Sequence, residues 1–336
     1  MTRTESSAFK LLAGGVLGAL GSLKLTLLIL VALGIGIMVT YRDVAKTIWP
    51  MVVPLSLCAV NLLAAIATRP IFRRQLPLLL FHISLLTIII LVGIGRMTFL
   101  KGQVELVEGQ EFDGSLTKQE SGPWHSKDYA QLRFINEGYT IDYAAGVRRG
   151  ATQNKVRYLN ENGLAQVATI GDNIPMILNG YRFYTSFNKG FAPVFLWHSS
   201  LSPGAQPVLG SVNLPAYPIH EYRQALEWVL PGTDITAWTM LQFDEVILDP
   251  EKPSEFRLPT QYKLIVRIGD TRRELQPGEA IELPQGRLVF DGLRSWMGYT
   301  VFYDWTLHWL LAVCTLAVLA LSWHFWRKFA ARPWDA

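Results

Sequence analysis

Four runs of apolar residues decide what this chain can become. Crossing a bilayer takes about 20 apolar residues at roughly 1.5 Å of helical rise each. Runs of that kind occupy residues 22–40 (SLKLTLLILVALGIGIMVT), 49–67 (WPMVVPLSLCAVNLLAAIA), 76–96 (LPLLLFHISLLTIIILVGIGR) and 303–325 (YDWTLHWLLAVCTLAVLALSWHF). Residues 101–300 lack such runs and read as globular sequence. Half of the 336 residues are hydrophobic and only 17% are charged, too apolar for a soluble domain and too charged for a bare helix bundle. The expected fold class is therefore a membrane protein: an α-helical four-span bundle carrying a large antiparallel β-rich domain outside the membrane.

Lys and Arg near the span ends set the orientation. Arg3, Lys10 and Lys24 precede or open the first run, Arg69, Arg73 and Arg74 fill the second connection, and Arg327, Lys328 and Arg332 follow the last run. With four spans these three regions share one side, the cytoplasm. The expected division is 1–21 as a cytoplasmic N-terminus with an interfacial helix, 22–98 as three transmembrane helices, 99–302 as the extracytoplasmic domain, 303–326 as the fourth helix and 327–336 as a cytoplasmic tail. The expected location is the cell's inner, cytoplasmic membrane. A cleaved signal peptide is the rival reading of residues 8–20, but cleavage near Leu20 leaves no small-x-small site. Gly14 and Gly18 in "LAGGVLG" stand at helix-packing spacing.

The net charge of +4 reflects this basic bias, and no basic-aromatic platform suggests nucleic acid. Cys58 and Cys314 both fall inside apolar runs, and neither CxxC nor CxxCH occurs. The outer domain is expected to do without a disulfide. Its short β-branched and aromatic runs, among them "YTIDYA", "NKVRYLN", "AQVATI", "YRFYTSF" and "YKLIVRI", are punctuated by Gly, Asn, Asp and Pro. They predict an antiparallel sandwich or barrel. "HEYRQALEWVLPG" predicts one helix, ended by Pro231-Gly232. His125, His198 and His220 lack metal-site spacing and are expected on the surface or in turns, with His198 beside Trp197 a weak ligand candidate. Nothing marks an enzyme active site.

The exception is His82, an imidazole inside the third apolar run. It lies six residues past Leu76, roughly 9 Å in at 1.5 Å per residue. Asn61, in the second run, is expected at similar depth. Two readings stand side by side. A His82–Asn61 hydrogen bond could join two helices at about 1 kcal/mol. Alternatively, the imidazole binds a metal or haem iron and Asn61 orients its second nitrogen.

Several stretches together resemble the ResB (CcsB) family. "LGSLKLTLLILVALGIG" resembles its first span, and "LLLFHISLLTIIILVGIGR" its third, in which a histidine opens a Leu- and Gly-rich run. "DNIPMILNGYRFYTSF", with Asn173, Pro175 and Gly180, resembles its outer-domain signature, and "DGLRSW…YDWTLHWLLAV" its return to the membrane. The resemblance implies a membrane subunit of system II cytochrome c maturation. Such a subunit pairs with a CcsA-type protein and carries haem b, held non-covalently, to apocytochrome c clients. His82 is then the axial ligand to haem iron in transit, with Asn61 behind it. The chain would be an assembly subunit, the partner supplying the ligation step. Asp304-Trp305-Thr306 replaces the family's Asp-Pro-Gly, and the partner's tryptophan-rich haem-handling motif is absent. A specialised paralogue is one explanation. The alternative function is a structural membrane anchor that docks a cytochrome or thiol reductase and holds no haem.

Overall fold

A computed structural model describes residues 15–42, 47–160, 162–201, 204–215 and 224–330. Gly14, His220 and the basic residues Arg3, Lys10 and Arg332 lie outside the described residues. The chain divides into two compact units. One holds the residues up to Leu100, the segment Glu120–Ser126 and the chain from Tyr303 onward; the other holds Lys101–Gln119 and Lys127–Phe302.

The first unit is helical. Its long helices are α1 (Leu23–Arg42), α2 (Trp49–Thr68), α4 (Leu76–Thr98) and α5 (Leu307–Phe329), with a five-residue helix α3 (Pro70–Arg74) between α2 and α4. All four long helices have the length and apolarity to cross a membrane, so the chain is a multi-pass membrane protein. Residues 15–20 are helical as well. Pro50 and Pro77 sit in the first turns of α2 and α4, where a missing N–H costs nothing. Several hydroxyls within the spans bond one turn back: Ser56 donates to the Val52 carbonyl, Ser84 to Leu80 and Thr87 to Ile83, whereas the buried Thr40 hydroxyl has no partner among the described residues. The last span starts at Leu307, four residues later than hydropathy suggests. The strand before it runs to Tyr303, and Asp304 then turns the chain by accepting bonds from the Thr306 N–H (2.9 Å) and Oγ1 (2.7 Å).

Close packing of α1 and α2 rests on two glycines that spacing did not single out. A Cβ at Gly21 would lie 2.8 Å from the Ala65 nitrogen, and one at Gly36 would overlap the Pro50 carbonyl. Gly18 has open space around it. Helix phase, which a G-x-x-x-G spacing does not contain, determines which glycine meets a neighbour.

The second unit is β-rich. Every strand pair with a described register is antiparallel. An eight-stranded sheet runs β2–β1–β16–β7–β6, with β15 added to β16 and with β8 and β9 added to β7. Its strands are β1 (Leu100–Val107), β2 (Lys118–Ser121), β6 (Met176–Leu178), β7 (Tyr181–Ser199), β8 (Val208–Ser211), β9 (Leu214–Pro215), β15 (Ala280–Leu283) and β16 (Gly286–Tyr303). A four-stranded sheet is ordered β12 (Ser254–Glu255), β3 (Phe134–Ala144), β4 (Arg148–Leu159), β5 (Ala165–Ile170). Another is ordered β10 (Ala225–Val229), β11 (Thr236–Gln242), β13 (Lys263–Ile268), β14 (Thr271–Leu275).

Alternation along β3 and β7 sends Phe134, Phe183 and Tyr299 of β16 into one core with Phe112, their ring centroids 5.1–5.6 Å apart. The buried Tyr299 phenol is satisfied: its hydroxyl donates to Asn154 Oδ1 at 2.8 Å, and Asn154 Nδ2 donates to Asn136 Oδ1 at 2.8 Å. Of the helix expected over 220–232, residues 220–223 lie outside the described residues and Ala225–Val229 form strand β10 instead. Leu226, Trp228 and Val229 favour a pleated surface, and pairing with β11 overrides their helical spacing. Trp228 seals the pairing, its Nε1 donating to Thr239 Oγ1 at 2.9 Å and its ring stacking on Phe195.

Candidate functional site

His82 stands two turns into α4, and its ring is half-buried. Side chains on a helix tilt toward its N-terminus, so the imidazole folds back over the preceding turn. There Nδ1 lies 2.8 Å from the Leu78 carbonyl oxygen. A carbonyl only accepts, so Nδ1 carries the proton and donates it. Nε2, the other ring nitrogen, has no hydrogen-bond partner among the described residues. Two aromatic edges hold its plane: Phe72, buried on α3, at 4.6 Å between centroids, and Phe81 at 5.2 Å. Phe72 escaped the sequence reading; its signal was an aromatic residue among the arginines of "RPIFRR".

Asn61 does not meet His82. It is 3% exposed and spends its amide on the N-terminal side of α1. Its Nδ2 donates to the carbonyls of Leu20 and Ser22, and its Oδ1 accepts from Thr26 Oγ1 at 2.7 Å. The expected pairing failed on direction. The backbone at the start of α1 offers the Leu20 and Ser22 carbonyls, and the Asn61 amide turns to them. The atom that fixes the His82 tautomer is the Leu78 carbonyl.

Would these residues suit an iron porphyrin? A neutral imidazole, its tautomer set by Nδ1–H bonding to a backbone carbonyl, is the form in which Nε2 binds iron. Apolar and aromatic neighbours suit a macrocycle's faces. The donor set fits one axial ligand. Among the described residues no cluster of three or more His, Cys, Asp or Glu could hold a metal by itself.

The other histidines divide by role. His125, expected on the surface or in a turn, closes a turn through its backbone N–H to the Gly122 carbonyl at 3.1 Å, but it is only 9% exposed, and its Nδ1 donates to the Thr98 carbonyl at 2.8 Å. It belongs to the segment that closes the C-terminal end of α4: the N–H groups of Gly122 and Trp124 reach the carbonyls of Phe99 and Met97, and Glu120 pairs with Arg96 at 3.0 Å. A helix end leaves four carbonyls without helical partners, which explains a buried imidazole there. His198 is exposed on β7 opposite Arg287 and has no ligand geometry. His324 sits half-buried near the end of α5, its ring beside Phe325.

A polar cluster in the β-rich unit also went unforeseen. Lys189 of β7 is 4% exposed and donates to Thr152 Oγ1 of β4 at 2.8 Å. Arg149 grips both Asp172 oxygens at 3.0 Å, and Asp172 accepts from Thr185 Oγ1 at 3.0 Å. Asp172 opens the "DNIP" stretch, so this signature is anchored by ion pairing between sheets. Burial, then the Arg149 charge, pushes the Lys189 ammonium down to about 8, with Asp172 opposing. In the unfolded chain it titrates near 10.5. Between those values the unfolded chain binds more protons, so stability rises with pH across that window and the burial penalty is present in full below it. Thermal melts of the full chain in detergent, taken from about pH 7.5 to about 9.5, should show that rise. Lys189→Met should flatten it; an unchanged pH slope in that variant would exclude Lys189 as its source.

A search among curated proteins finds no match. The family comparison is positive. It covers the end of α2, the whole of α4 with His82, and the β-strands through β7, the region that holds both the "FH" span and the "DNIP…GYRFY" stretch. Residues 64–200 match the model of the ResB-like family.

Proposed function

We propose that this chain is a membrane subunit of a haem-delivery complex for cytochrome c maturation. It works with a CcsA-type partner and presents haem b to apocytochrome c on the outer face of the cytoplasmic membrane. Membership of the matched region in a ResB-like family supports involvement in cytochrome c biogenesis. The observation that carries the haem reading is the His82 ring, an imidazole held through Nδ1 with Nε2 unclaimed inside an apolar span. Isolated polar groups at such depth are costly and usually functional. The inter-helix role offered for His82 loses its main support, because the ring bonds to its own helix and Asn61 bonds elsewhere.

In this reading His82 supplies one axial ligand and the partner the other. Haem is cargo, and this chain performs no covalent step. Basic residues at the Leu76 and Phe329 ends of α4 and α5 favour those ends as cytoplasmic, which leaves the β-rich unit outside.

The test is an absorption spectrum of the full chain purified with a co-expressed CcsA-type protein, together with reporter fusions for orientation. A Soret band that accompanies the complex, with phosphatase active at residue 150 and silent at residue 72, is the expected result. A complex without haem would sink the delivery reading and leave a structural anchor. That alternative draws on the Phe72–His82 contact, which ties α3 to α4.

A further inference from the structure

The ends of α4 and α5 remote from the strands they connect to, near Leu76 and Phe329, enclose a cleft of about 420 Å³. Its lining joins residues about 250 positions apart in sequence: Arg74 on one side, Arg327 and Lys328 on the other. Among the described residues no carboxylate lines it, and none of these three cations has an ion-pair partner. Three positive charges converging with no counter-charge among the described residues repel one another and attract an anion.

The rest of the lining narrows the choice. Ile71 and Leu78 give the cleft apolar walls, and Gln75 and His324 place polar groups beside the cations. The exposed indoles of Trp323 and Trp326 on the same turns mark this level as a membrane–water interface. A free anion has no use for apolar walls at that level. A lipid does: its phosphate meets the cations, its glycerol region meets the polar groups, and its acyl chains descend along the span faces. We propose that this cleft binds the phosphate headgroup of an anionic phospholipid. Basic pockets between transmembrane helices recognise such headgroups, each cation adding to the attraction. The proposal is independent of haem delivery. It gives α4 a fixed reference at the interface, one turn from the carbonyl that orients His82.

The full chain, reconstituted in nanodiscs that contain equal phosphatidylglycerol and phosphatidylcholine with the same acyl chains, is released and examined by native mass spectrometry. The wild-type chain is expected to retain phosphatidylglycerol preferentially, and Arg74→Gln/Arg327→Gln/Lys328→Gln to reduce that preference about tenfold. Arg272→Gln/Arg273→Gln/Arg287→Gln, with the same charge removed from β-strands, should leave it intact. Equal retention of both lipids by the wild-type chain overturns the proposal without reference to any variant. So does displacement of phosphatidylglycerol by inorganic phosphate, which would make the cleft a site for free phosphate. If the cleft variant keeps its lipid preference but loses co-purifying haem, the cations serve the carboxylates of the cargo, and the proposal again falls.

Discussion

On the proposed haem-delivery role, His82→Gly is expected to insert normally, to associate with a CcsA-type protein, and to lose most of the haem that such a complex would carry. The substitution removes the Nε2 that α4 holds without a hydrogen-bond partner. It leaves a ring-sized space between Phe72 and Phe81. Free imidazole has the size and the donor to fill that space, so adding it during growth should restore part of the haem and of the cytochrome c. Rescue by a small molecule separates a ligand role from a packing role, because imidazole restores coordination without restoring the tether to α4. Asn61→Ala is the matched contrast. It gives up the bonds to Leu20, Ser22 and Thr26, at about 1–2 kcal/mol for polar contacts within a membrane. It should loosen α1 from α2 and leave haem content near the wild-type level. Wild-type haem in His82→Gly would end the ligand assignment. Strong haem loss in Asn61→Ala, with the helices still packed, would reinstate the pairing that the structure does not contain.

The spans were legible because hydrocarbon thickness imposes a length and a composition that any reader of the chain can count. The β-rich unit was legible for a related reason: alternation and turn residues belong to local sequence, and "AQVATI" is strand β5 residue for residue. What local sequence does not carry is direction around a helix axis. Asn61 and His82 lie on neighbouring apolar helices, yet each successive residue turns by about 100°, and the amide faces α1. The same blindness picked Gly18 over Gly21 and Gly36. Partners distant in sequence were equally hidden. Strand β10 has a helical spacing that only β11 contradicts, and His125 is buried only because α4 ends where its ring arrives. The convergence of Arg74 with Arg327 is of the same kind. For the candidate site, the chain shows an imidazole inside an apolar run. The proton on Nδ1 needed coordinates.

Gly180→Val is expected to lower the stability and membrane abundance of the protein. Strands β6 and β7 join through a two-residue turn, Asn179-Gly180, with Leu178 opposite Tyr181. Both turn residues have positive φ, 49° and 82°, the mirror-image geometry that suits the twist of a tight hairpin. Glycine accepts that conformation freely, and asparagine tolerates it, whereas a β-branched side chain pushes into its own backbone at a cost of at least about 1–2 kcal/mol. The strain falls at a sensitive place. Immediately after the turn, Tyr181 and Phe183 enter the core and are almost fully buried, and a one-residue slip would send both to the opposite face. For a domain of this size a loss of about 2 kcal/mol lowers the melting temperature by roughly 4–8 °C, readable by tryptophan fluorescence of the full chain in detergent. Gly180→Asn should recover most of that loss, since asparagine already holds the neighbouring position in the same conformation. Should Gly180→Val melt like the wild-type chain, accumulate normally and still fail to support cytochrome assembly, the stretch from Asp172 to Phe187 would be a contact site for a client or partner rather than a structural hairpin.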